Sequence, residues 1–131
     1  MIKEFIYNVK VYYEDTDSGG VVYYANYLKF FERARTEFLN SLKLSNKILL
    51  KDHGVLIVVK SCNIEYKKSA KLEDELEIVS SVISKTKTSF IMKQVVKLDK
   101  VLICEAQTHL VTVNQEGKPV QIPKVLNDFL N

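Results

Sequence analysis

Acidic residues and two glycines lie close together near the start of the chain, in the segment EDTDSGG from Glu14 to Gly20. Three acids and two glycines in seven residues do not suit the interior of a strand or a stable helix. The composition therefore predicts a loop with freedom in φ. Carboxylates are the side chains of nucleophilic and general-base catalysis, and Gly19 and Gly20 would let a ligand approach the main chain closely. We expect the chemistry of this protein at this loop.

A long amphipathic helix is predicted directly after the loop, from about Tyr24 to Lys43. One face of it repeats at a spacing of three to four residues, and Tyr27, Ala34 and Ser41 widen that stripe. The residues of the repeat are Leu28, Phe31, Arg35, Phe38 and Leu42. A helix N-terminus offers free backbone N–H groups and the positive end of a dipole. The junction thus brings carboxylates next to backbone donors.

The elements around this junction are mostly strands. A first strand is predicted from about Phe5 to Tyr13, and Ser45 to His53 is predicted to be a short helix or turn closed by Gly54. Beyond it the hydrophobic period changes from 3.6 to 2. Four further strands are predicted, Val55–Lys68, Leu72–Lys85, Thr88–Leu98 and Val101–Asn114, followed by a terminal helical turn at Val125–Leu130.

Short turns between the last four strands predict an antiparallel meander. Because one face of the sheet must be covered and only one long helix is available, the sheet is expected to curl around that helix. The fold class is therefore α+β, a five-stranded antiparallel sheet wrapped around one helix. Exposed sheet edges also favour pairing with another copy of the chain.

Length and composition restrict the class of protein. The chain has 131 residues, which predicts one domain over residues 1–131, and its formal net charge of +3 is too small to indicate nucleic acid. No apolar run approaches the length of a membrane span. The start of the sequence does not resemble a secretory signal, and two cysteines form no disulfide framework. We expect a cytoplasmic protein with reduced, buried Cys62 and Cys104.

The segment from Tyr12 to Leu39 reads YYEDTDSGGVVYYANYLKFFERARTEFL. Its ordered pattern, Tyr-x-x-Asp-Thr-Asp-x-x-Gly-x-Val followed by Asn-Tyr and Glu-Arg-Ala-Arg, resembles the 4-hydroxybenzoyl-CoA thioesterase family of the hotdog fold. Within that family it is most similar to the Tol–Pal-associated acyl-CoA thioesterases of bacteria. Weaker similarity continues through VVKSCNIEYKKSAKLEDELEI, TSF and CEAQTHLVTV, so the resemblance covers nearly the whole chain.

The resemblance implies a catalytic carboxylate at Asp17, acting as nucleophile or general base. An isolated aspartate at this position would more often be a helix cap, and the motif reverses that preference. Backbone N–H groups near Tyr23, Tyr24 and Ala25 would polarise the thioester oxygen. Gly19, Gly20 and Val21 would line the substrate-binding site. Asp15 is expected to be structural, bonding loop amides.

One departure concerns position 24. The Tol–Pal-associated enzymes usually carry histidine there, and aromatic-CoA members carry tyrosine. The role of the backbone does not depend on the Tyr24 side chain, but the acyl preference stays open between aliphatic and aromatic groups.

Basic residues could hold the phosphates of coenzyme A. The candidates are Lys60, Lys67, Lys68, Lys85 and Lys87, and the last two flank the turn where the aromatic-CoA relatives carry basic residues for the nucleotide. Taken singly, a lysine in a β-turn is more often just solvated. His53 and His109 lack metal-ligand neighbours in the sequence, so no metal is predicted, and no cofactor is expected because coenzyme A is part of the substrate.

The leading hypothesis is an acyl-CoA thioesterase acting as a homo-oligomer, a dimer or a homotetramer formed as a dimer of dimers, with each site built between two subunits. One alternative is a hotdog dehydratase working on acyl carrier protein, but such enzymes usually use a catalytic histidine. A second alternative is a non-catalytic partner that binds acyl-CoA or acyl carrier protein in an envelope or lipid-synthesis complex. The carboxylate at Asp17 argues against that alternative.

Overall fold

The structure, a computed structural model, describes residues 3–130. It contains five strands, three α-helices and a 3-10 turn at Tyr13–Asp15 within those residues. In chain order these are β1 (Glu4–Lys10), α1 (Asn26–Ser41), α2 (Asn46–His53), β2 (Leu56–Tyr66), β3 (Glu75–Lys85), β4 (Ser89–Leu98), β5 (Val101–Val113) and α3 (Lys124–Asn127).

The strands form one antiparallel sheet in the order β1-β3-β4-β5-β2. The predicted α+β architecture, five antiparallel strands against one long helix, is confirmed. The predicted meander of the last four strands is only partly correct, because it holds for β3, β4 and β5 but not for β2. Strand β2 pairs with β5 and forms an edge of the sheet, and β1 pairs with β3 at the other edge.

The connection of residues 67–74 explains this order. It leaves β2 at one edge and crosses the sheet to β3, passing the start of α1 on the way. Ala70, in its middle, is fully buried, and its carbonyl oxygen accepts a hydrogen bond of 2.8 Å from Val22 N–H. Glu73 N–H donates to Val11 O at 2.9 Å, which ties the end of the connection to the residue after β1. A loop of this length resembles a turn in the sequence, although it crosses the sheet.

Helix α1 packs on one face of the sheet through aromatic residues. Tyr27, Phe30, Phe31 and Ala34 are buried there. The predicted stripe was rotated with respect to this face, since it included Leu28, which is 46% exposed, and omitted Phe30. Leu28 therefore lies on the side of the helix that faces solvent.

Strand β2 is the least covered strand of the sheet. Leu56, Val58 and Val59 on it are at least one third exposed. Cys62 is also exposed, whereas Cys104 is buried, so the prediction that both thiols are buried is wrong for Cys62. Cys62 does point to the helix side, where Thr108 Oγ1 approaches its Sγ at 3.5 Å, but α1 does not reach far enough to cover the edge.

The ends of the elements differ from the sequence prediction by a few residues. Strand β1 stops at Lys10 instead of Tyr13, because the chain turns into the 3-10 segment. Helix α2 is capped by Ser45, whose Oγ accepts from Ile48 N–H at 3.0 Å, and it ends at Gly54 with φ of 66°. Helix α3 closes the end of the core beneath α2, with Leu126 fully buried.

Candidate active site

Asp17 lies exposed in a tight loop between Thr16 and Val22, which are joined by an antiparallel bridge. Its Oδ1 accepts a hydrogen bond of 2.8 Å from Gly19 N–H. Its own N–H donates to Val21 O at 2.9 Å, and Gly20 N–H donates to the Asp17 carbonyl oxygen at 3.0 Å. The loop therefore fixes one carboxylate oxygen, while Oδ2 has no protein donor among the described residues.

Gly19 makes room for this contact. A Cβ at this position would lie 3.2 Å from Oδ1 of Asp17, shorter than ordinary van der Waals contact. Gly20 serves a different purpose. A Cβ added there would meet no atom within 4 Å, but the φ of 80° lies in the left-handed region, which glycine adopts without strain. One glycine thus lets an amide reach the carboxylate, and the other lets the chain turn.

Asp15 anchors the loop from below. It is buried, and its Oδ2 accepts from Tyr12 N–H at 2.9 Å. Its carbonyl oxygen accepts two further hydrogen bonds, from Tyr23 N–H at 3.0 Å and from Asn26 Nδ2 at 2.8 Å. The prediction that Asp15 is structural and bonds loop amides is confirmed.

The start of α1 leaves two backbone donors available. The N–H groups of Tyr23 and Asn26 donate to Asp15 O and Tyr23 O, and those of the next two residues also have backbone acceptors. The N–H groups of Tyr24 and Ala25 have no acceptor among residues 3–130. Of the three donors predicted for a substrate oxygen, Tyr23 is therefore engaged in the fold, and Tyr24 and Ala25 remain.

The crossing connection braces this helix start from the side. The N–H of Ala70 donates to the hydroxyl oxygen of Tyr27 at 3.1 Å, while its carbonyl accepts from Val22. The backbone of Val21, a predicted substrate-lining residue, also forms an isolated bridge with Lys71. Residues on both sides of the available donors are thus fixed to the same loop.

Tyr66, at the end of β2, holds the other side of the helix start. Its hydroxyl donates to the Tyr24 carbonyl oxygen at 3.2 Å, and the two rings meet edge to face with centroids 6.0 Å apart. Partial burial raises the pKa of Tyr66 above its ordinary value, so the hydroxyl keeps its proton. Tyr24 itself is 59% exposed and packs against Tyr23, with ring centroids 4.8 Å apart.

Sequence reasoning missed both Asn26 and Tyr66. Each acts through a backbone carbonyl, 11 residues away for Asn26 and 42 residues away for Tyr66. Asn26 lies inside the Asn-Tyr pair of the resemblance motif, which is a signal that could have identified it. Nothing in the local pattern around Tyr66 distinguishes it from an ordinary strand tyrosine.

A cavity of about 180 Å³ lies between the second half of α1 and the end of the sheet away from Asp17. Its walls are mainly apolar, and polar residues of α1 and α2 stand among them. The apolar lining consists of Phe38, Leu39, Ile57, Val59, Phe90, Met92 and Leu110. Such a space suits a hydrocarbon group.

Arg35 lies in the wall of this cavity. One guanidinium nitrogen donates to Gln94 Oε1 at 3.0 Å, and Gln94 Nε2 donates in turn to Phe31 O and Ser80 Oγ, each at 3.0 Å. Burial lowers the pKa of Arg35, and the nearby Glu32 carboxylate partly opposes that effect. Gln94 is fully buried with its polar atoms satisfied, so this network fixes α1 on the sheet.

Lys85 and Lys87 lie at the end of the sheet away from Asp17, whereas Lys67 and Lys68 begin the connection that reaches Val22. Strand β3 begins at Glu75, directly after the connection that contacts the start of α1, and ends at Lys85. The strand is roughly 33 Å long at about 3.3 Å per residue, so Lys85 lies at the opposite end of the sheet. Its Nζ donates to the carbonyl oxygen and to Oδ1 of Asn127 at 3.2 and 3.1 Å, and so holds α3. Lys87 is exposed in the same turn, and Lys60 is exposed at the β-bulge of β2.

Metal ligands and membrane-spanning helices are both missing from the described part of the chain. Residues 3–130 include no group of three or more His, Cys, Asp or Glu side chains arranged to hold a metal ion. Over the same residues, no helix combines the length and the apolar character needed to cross a membrane.

Comparison with known proteins gives a consistent result. The model of the thioesterase-like superfamily matches residues 11–130. The acyl-CoA thioesterase YbgC of Haemophilus influenzae is 40% identical over 121 residues, which are 92% of this chain and 89% of the relative. The acyl-CoA thioester hydrolase YbgC of Escherichia coli O6:H1 is 42% identical over 122 residues, 92% of this chain and 90% of that protein.

Solved structures agree with the sequence relatives. The crystal structure of a probable thioesterase from Bartonella henselae superposes with a TM-score of 0.89 at 31% identity, covering 92% of this chain and 100% of the other. The hotdog fold predicted from the sequence is confirmed by this likeness.

Proposed function

The chain belongs to the thioesterase-like superfamily, and from this premise we propose that it hydrolyses the thioester bond of acyl-CoA, giving a free acid and coenzyme A. The observation that carries the proposal is the arrangement at the start of α1. A carboxylate with one free oxygen, Asp17, precedes a helix start at which the N–H groups of Tyr24 and Ala25 have no acceptor in the described chain. Relatives named as acyl-CoA thioesterases at 40–42% identity support it.

Asp17 supplies the attack on the carbonyl carbon in one of two ways. As a general base, its carboxylate takes a proton from water, the resulting hydroxide adds to the carbonyl, and the C–S bond then breaks. As a nucleophile, its oxygen adds directly, coenzyme A leaves as the thiolate, and water hydrolyses the mixed anhydride. In both routes the hydrogen bond from Gly19 N–H to Oδ1 orients the carboxylate and leaves the other oxygen to react.

Charge develops on the carbonyl oxygen as the tetrahedral intermediate forms. The N–H groups of Tyr24 and Ala25, at the positive end of the α1 dipole, would stabilise that oxyanion. Donors held in advance are effective because they need no reorganisation during the reaction. Asn26 and Ala70 hold the backbone on either side of these donors through the contacts described above.

Two copies of the chain would complete the site by pairing along β2. Within residues 3–130 this strand is an unpaired edge with apolar side chains that are at least one third exposed. Antiparallel pairing of two β2 strands puts the Tyr66 end of one copy beside the Leu56 end of the other. The proposal is thus a homodimer, which could assemble further into a dimer of dimers.

This pairing would give a role to the cavity and the lysines that lie far from Asp17 within one chain. The cavity near Val59 and the turn carrying Lys87 both lie at the Leu56 end of the sheet. In a dimer that end approaches the Asp17 loop of the other copy. We therefore assign the cavity to the end of the acyl group and Lys87, with Lys60, to the phosphates of coenzyme A.

The proposal includes a cytoplasmic location. Neither Cys62 nor Cys104 forms a disulfide, and free thiols are typical of reducing compartments.

A thiol-release assay with a series of acyl-CoAs tests the function directly. We expect turnover by the purified wild-type protein and a loss of kcat on the order of a hundredfold or more in Asp17→Asn, which keeps the shape but loses the charge. Unchanged circular dichroism would show that the variant is folded. Activity of Asp17→Asn within a few-fold of wild type would remove Asp17 from the mechanism, and absence of turnover in the wild type with every acyl-CoA would overturn the function itself.

A further inference from the structure

We propose that Tyr66 is a positioning residue of the reaction, which orients and polarises the backbone N–H of Ala25 through the carbonyl oxygen of Tyr24. The inference rests on the proposed function, because it concerns how the oxyanion donor is held. The hydroxyl of Tyr66 donates to Tyr24 O at 3.2 Å from the last residue of strand β2. No described residue of the acidic loop makes this contact.

The geometry of the peptide unit between Tyr24 and Ala25 links the Tyr66 hydroxyl to the N–H of Ala25. The carbonyl of Tyr24 and the N–H of Ala25 belong to the same planar peptide group, and in the trans form they point in opposite directions. The chain contains no cis peptide bond among its described residues. When Tyr66 holds the oxygen toward β2, the N–H of Ala25 is therefore directed away from β2, out of the helix start. Rotation of this peptide would move oxygen and N–H together.

The other contact of this carbonyl is weak. The N–H of Tyr27 donates to Tyr24 O at 3.3 Å, long for a backbone hydrogen bond. Ala25 is the residue before the first residue of α1, where the helical ladder does not yet restrain the peptide. A side-chain donor from a neighbouring strand thus supplies a restraint that the helix itself does not.

The same hydrogen bond changes the strength of the donor. A carbonyl that accepts a hydrogen bond polarises its own peptide group, so the N–H at the other end becomes a better donor. The gain is largest for an acceptor that carries charge, as the oxyanion does and the ground-state carbonyl oxygen does not. Tyr66 should therefore affect the transition state more than substrate binding.

Tyr66 also connects the site to the proposed dimer edge. Its ring packs against Tyr24 and against Tyr27, with centroids 6.0 and 5.7 Å away, while its backbone belongs to the exposed strand. If a second copy pairs with β2 and orders it, the Tyr66 side chain would transmit that effect to the start of α1. The coupling needs no movement of Asp17.

The test uses Tyr66→Phe, which keeps the ring and removes only the hydroxyl, with Tyr13→Phe as the matched control. The ring of Tyr13 is 81% exposed and its hydroxyl has no partner in the described chain. We expect Tyr66→Phe to lower kcat for acyl-CoA about fivefold, the effect of roughly 1 kcal/mol at 1.36 kcal/mol per tenfold. KM should stay within twofold, and Tyr13→Phe should resemble the wild type.

A spectroscopic measurement makes the result independent of turnover. In ¹H–¹⁵N spectra of the substrate-free protein, loss of the Tyr66 hydroxyl should shift the Ala25 amide resonance, while the Gly19 amide stays in place. An Ala25 resonance unchanged by Tyr66→Phe would overturn the inference, as would a rise in KM with constant kcat, which would make Tyr66 a substrate contact. If the wild type hydrolyses no acyl-CoA, the proposed function fails, and the amide shift still decides whether Tyr66 acts on Ala25.

Discussion

The side-chain amide of Asn26 donates a hydrogen bond of 2.8 Å to the carbonyl oxygen of Asp15, joining the first residue of α1 to the loop that carries Asp17. Tyr23 N–H donates to the same oxygen at 3.0 Å. These two bonds set the distance between the loop and the helix start, because they span the segment in which the carboxylate and the free N–H groups lie. The geometry of the candidate site is therefore set mainly by the backbone, which hydrogen bonds such as that of Asn26 hold in place.

Replacing Asn26 by alanine removes its hydrogen bond to the Asp15 carbonyl oxygen and should loosen the connection between the loop and α1. We expect a loss of about 1 kcal/mol in the free energy of unfolding, the net value of a neutral hydrogen bond, and a fall in kcat as the loop loosens. Urea unfolding and steady-state kinetics measure the two effects. Asn40→Ala is the control, since Asn40 Nδ2 makes only an exposed contact of 3.4 Å with Glu37. Wild-type stability and kcat in Asn26→Ala would contradict the assigned role.

The two glycines of the loop should respond to alanine in opposite ways. Gly19 has ordinary φ, so Gly19→Ala should leave stability unchanged or raise it by up to about 1 kcal/mol, while its Cβ displaces the Asp17 carboxylate and lowers kcat. Gly20 has φ of 80°, so Gly20→Ala should instead destabilise the fold by roughly 1 kcal/mol. Measuring both the thermal unfolding and the kcat of each variant distinguishes the two effects. Equal losses of stability in both variants would contradict the difference in φ between the two glycines, and an unchanged kcat in Gly19→Ala would contradict the displacement of Asp17.

Much of this architecture is encoded locally and could be predicted from the sequence. The EDTDSGG loop, the amphipathic period of α1 and the change to period 2 after Gly54 each depend on neighbouring residues, and each prediction is correct within a few residues. The resemblance motif added the fold and the family. Asp15 was assigned correctly because an acid in a glycine-rich turn has few other partners than loop amides.

The errors arise where distant parts of the chain meet. Strand β2 was expected beside β3, but the connection of residues 67–74 crosses the sheet and enters β3 next to the far edge strand β1, and its length alone does not specify which strands it joins. The exposure of Cys62 follows from that strand order, because Cys62 lies on the edge strand β2. Tyr66 was missed for the same reason, since its contact with Tyr24 exists only once β2 lies beside α1.

Lys85 and Lys87 should separate into a structural and a binding residue. Lys85→Ala should lower the melting temperature, because Lys85 Nζ holds Asn127 in α3. Lys87→Ala should raise KM for acyl-CoA several-fold at constant kcat, with a smaller effect at high salt, because exposed charges are screened over about 8 to 10 Å. A short acyl thioester without the nucleotide serves as the control substrate. If Lys87→Ala slows that substrate equally, the residue does not contact the nucleotide.

The two cysteines should differ in reactivity. Burial raises the pKa of Cys104 to about 12, so at pH 8 only roughly one molecule in ten thousand carries the thiolate there. Cys62 is exposed on β2. A thiol reagent should therefore modify one cysteine per native chain and the second only after unfolding, and Cys62→Ser should abolish the native reaction. Rapid modification of both thiols in the folded protein would contradict the packing around Cys104.

The reaction of Cys62 also reports on the dimer. If two copies pair along β2, the rate of modification should rise on dilution, as the edge becomes free. A rate independent of protein concentration down to the nanomolar range, together with the mass of a single chain in light scattering, would argue against pairing at this edge.

Val58 and Val59 offer a matched test of the acyl cavity. They are neighbours on β2 and are 41% and 51% exposed, but only Val59 lines the cavity, since successive strand residues point to opposite faces. Val59→Trp should fill the space, whereas Val58→Trp adds the same bulk to the outer face. Each methylene that can no longer be buried costs about 0.8 kcal/mol, so exclusion of two of them lowers kcat/KM more than tenfold.

We therefore expect Val59→Trp to lower kcat/KM for decanoyl-CoA at least tenfold relative to acetyl-CoA, and Val58→Trp to leave that ratio unchanged. The acetyl substrate reports on the catalytic groups, because its acyl part is too short to need the cavity. A ratio that changes equally in both variants would point to disturbed pairing of β2, where both side chains reside. A ratio that changes in neither would exclude the cavity as the place where the acyl chain ends.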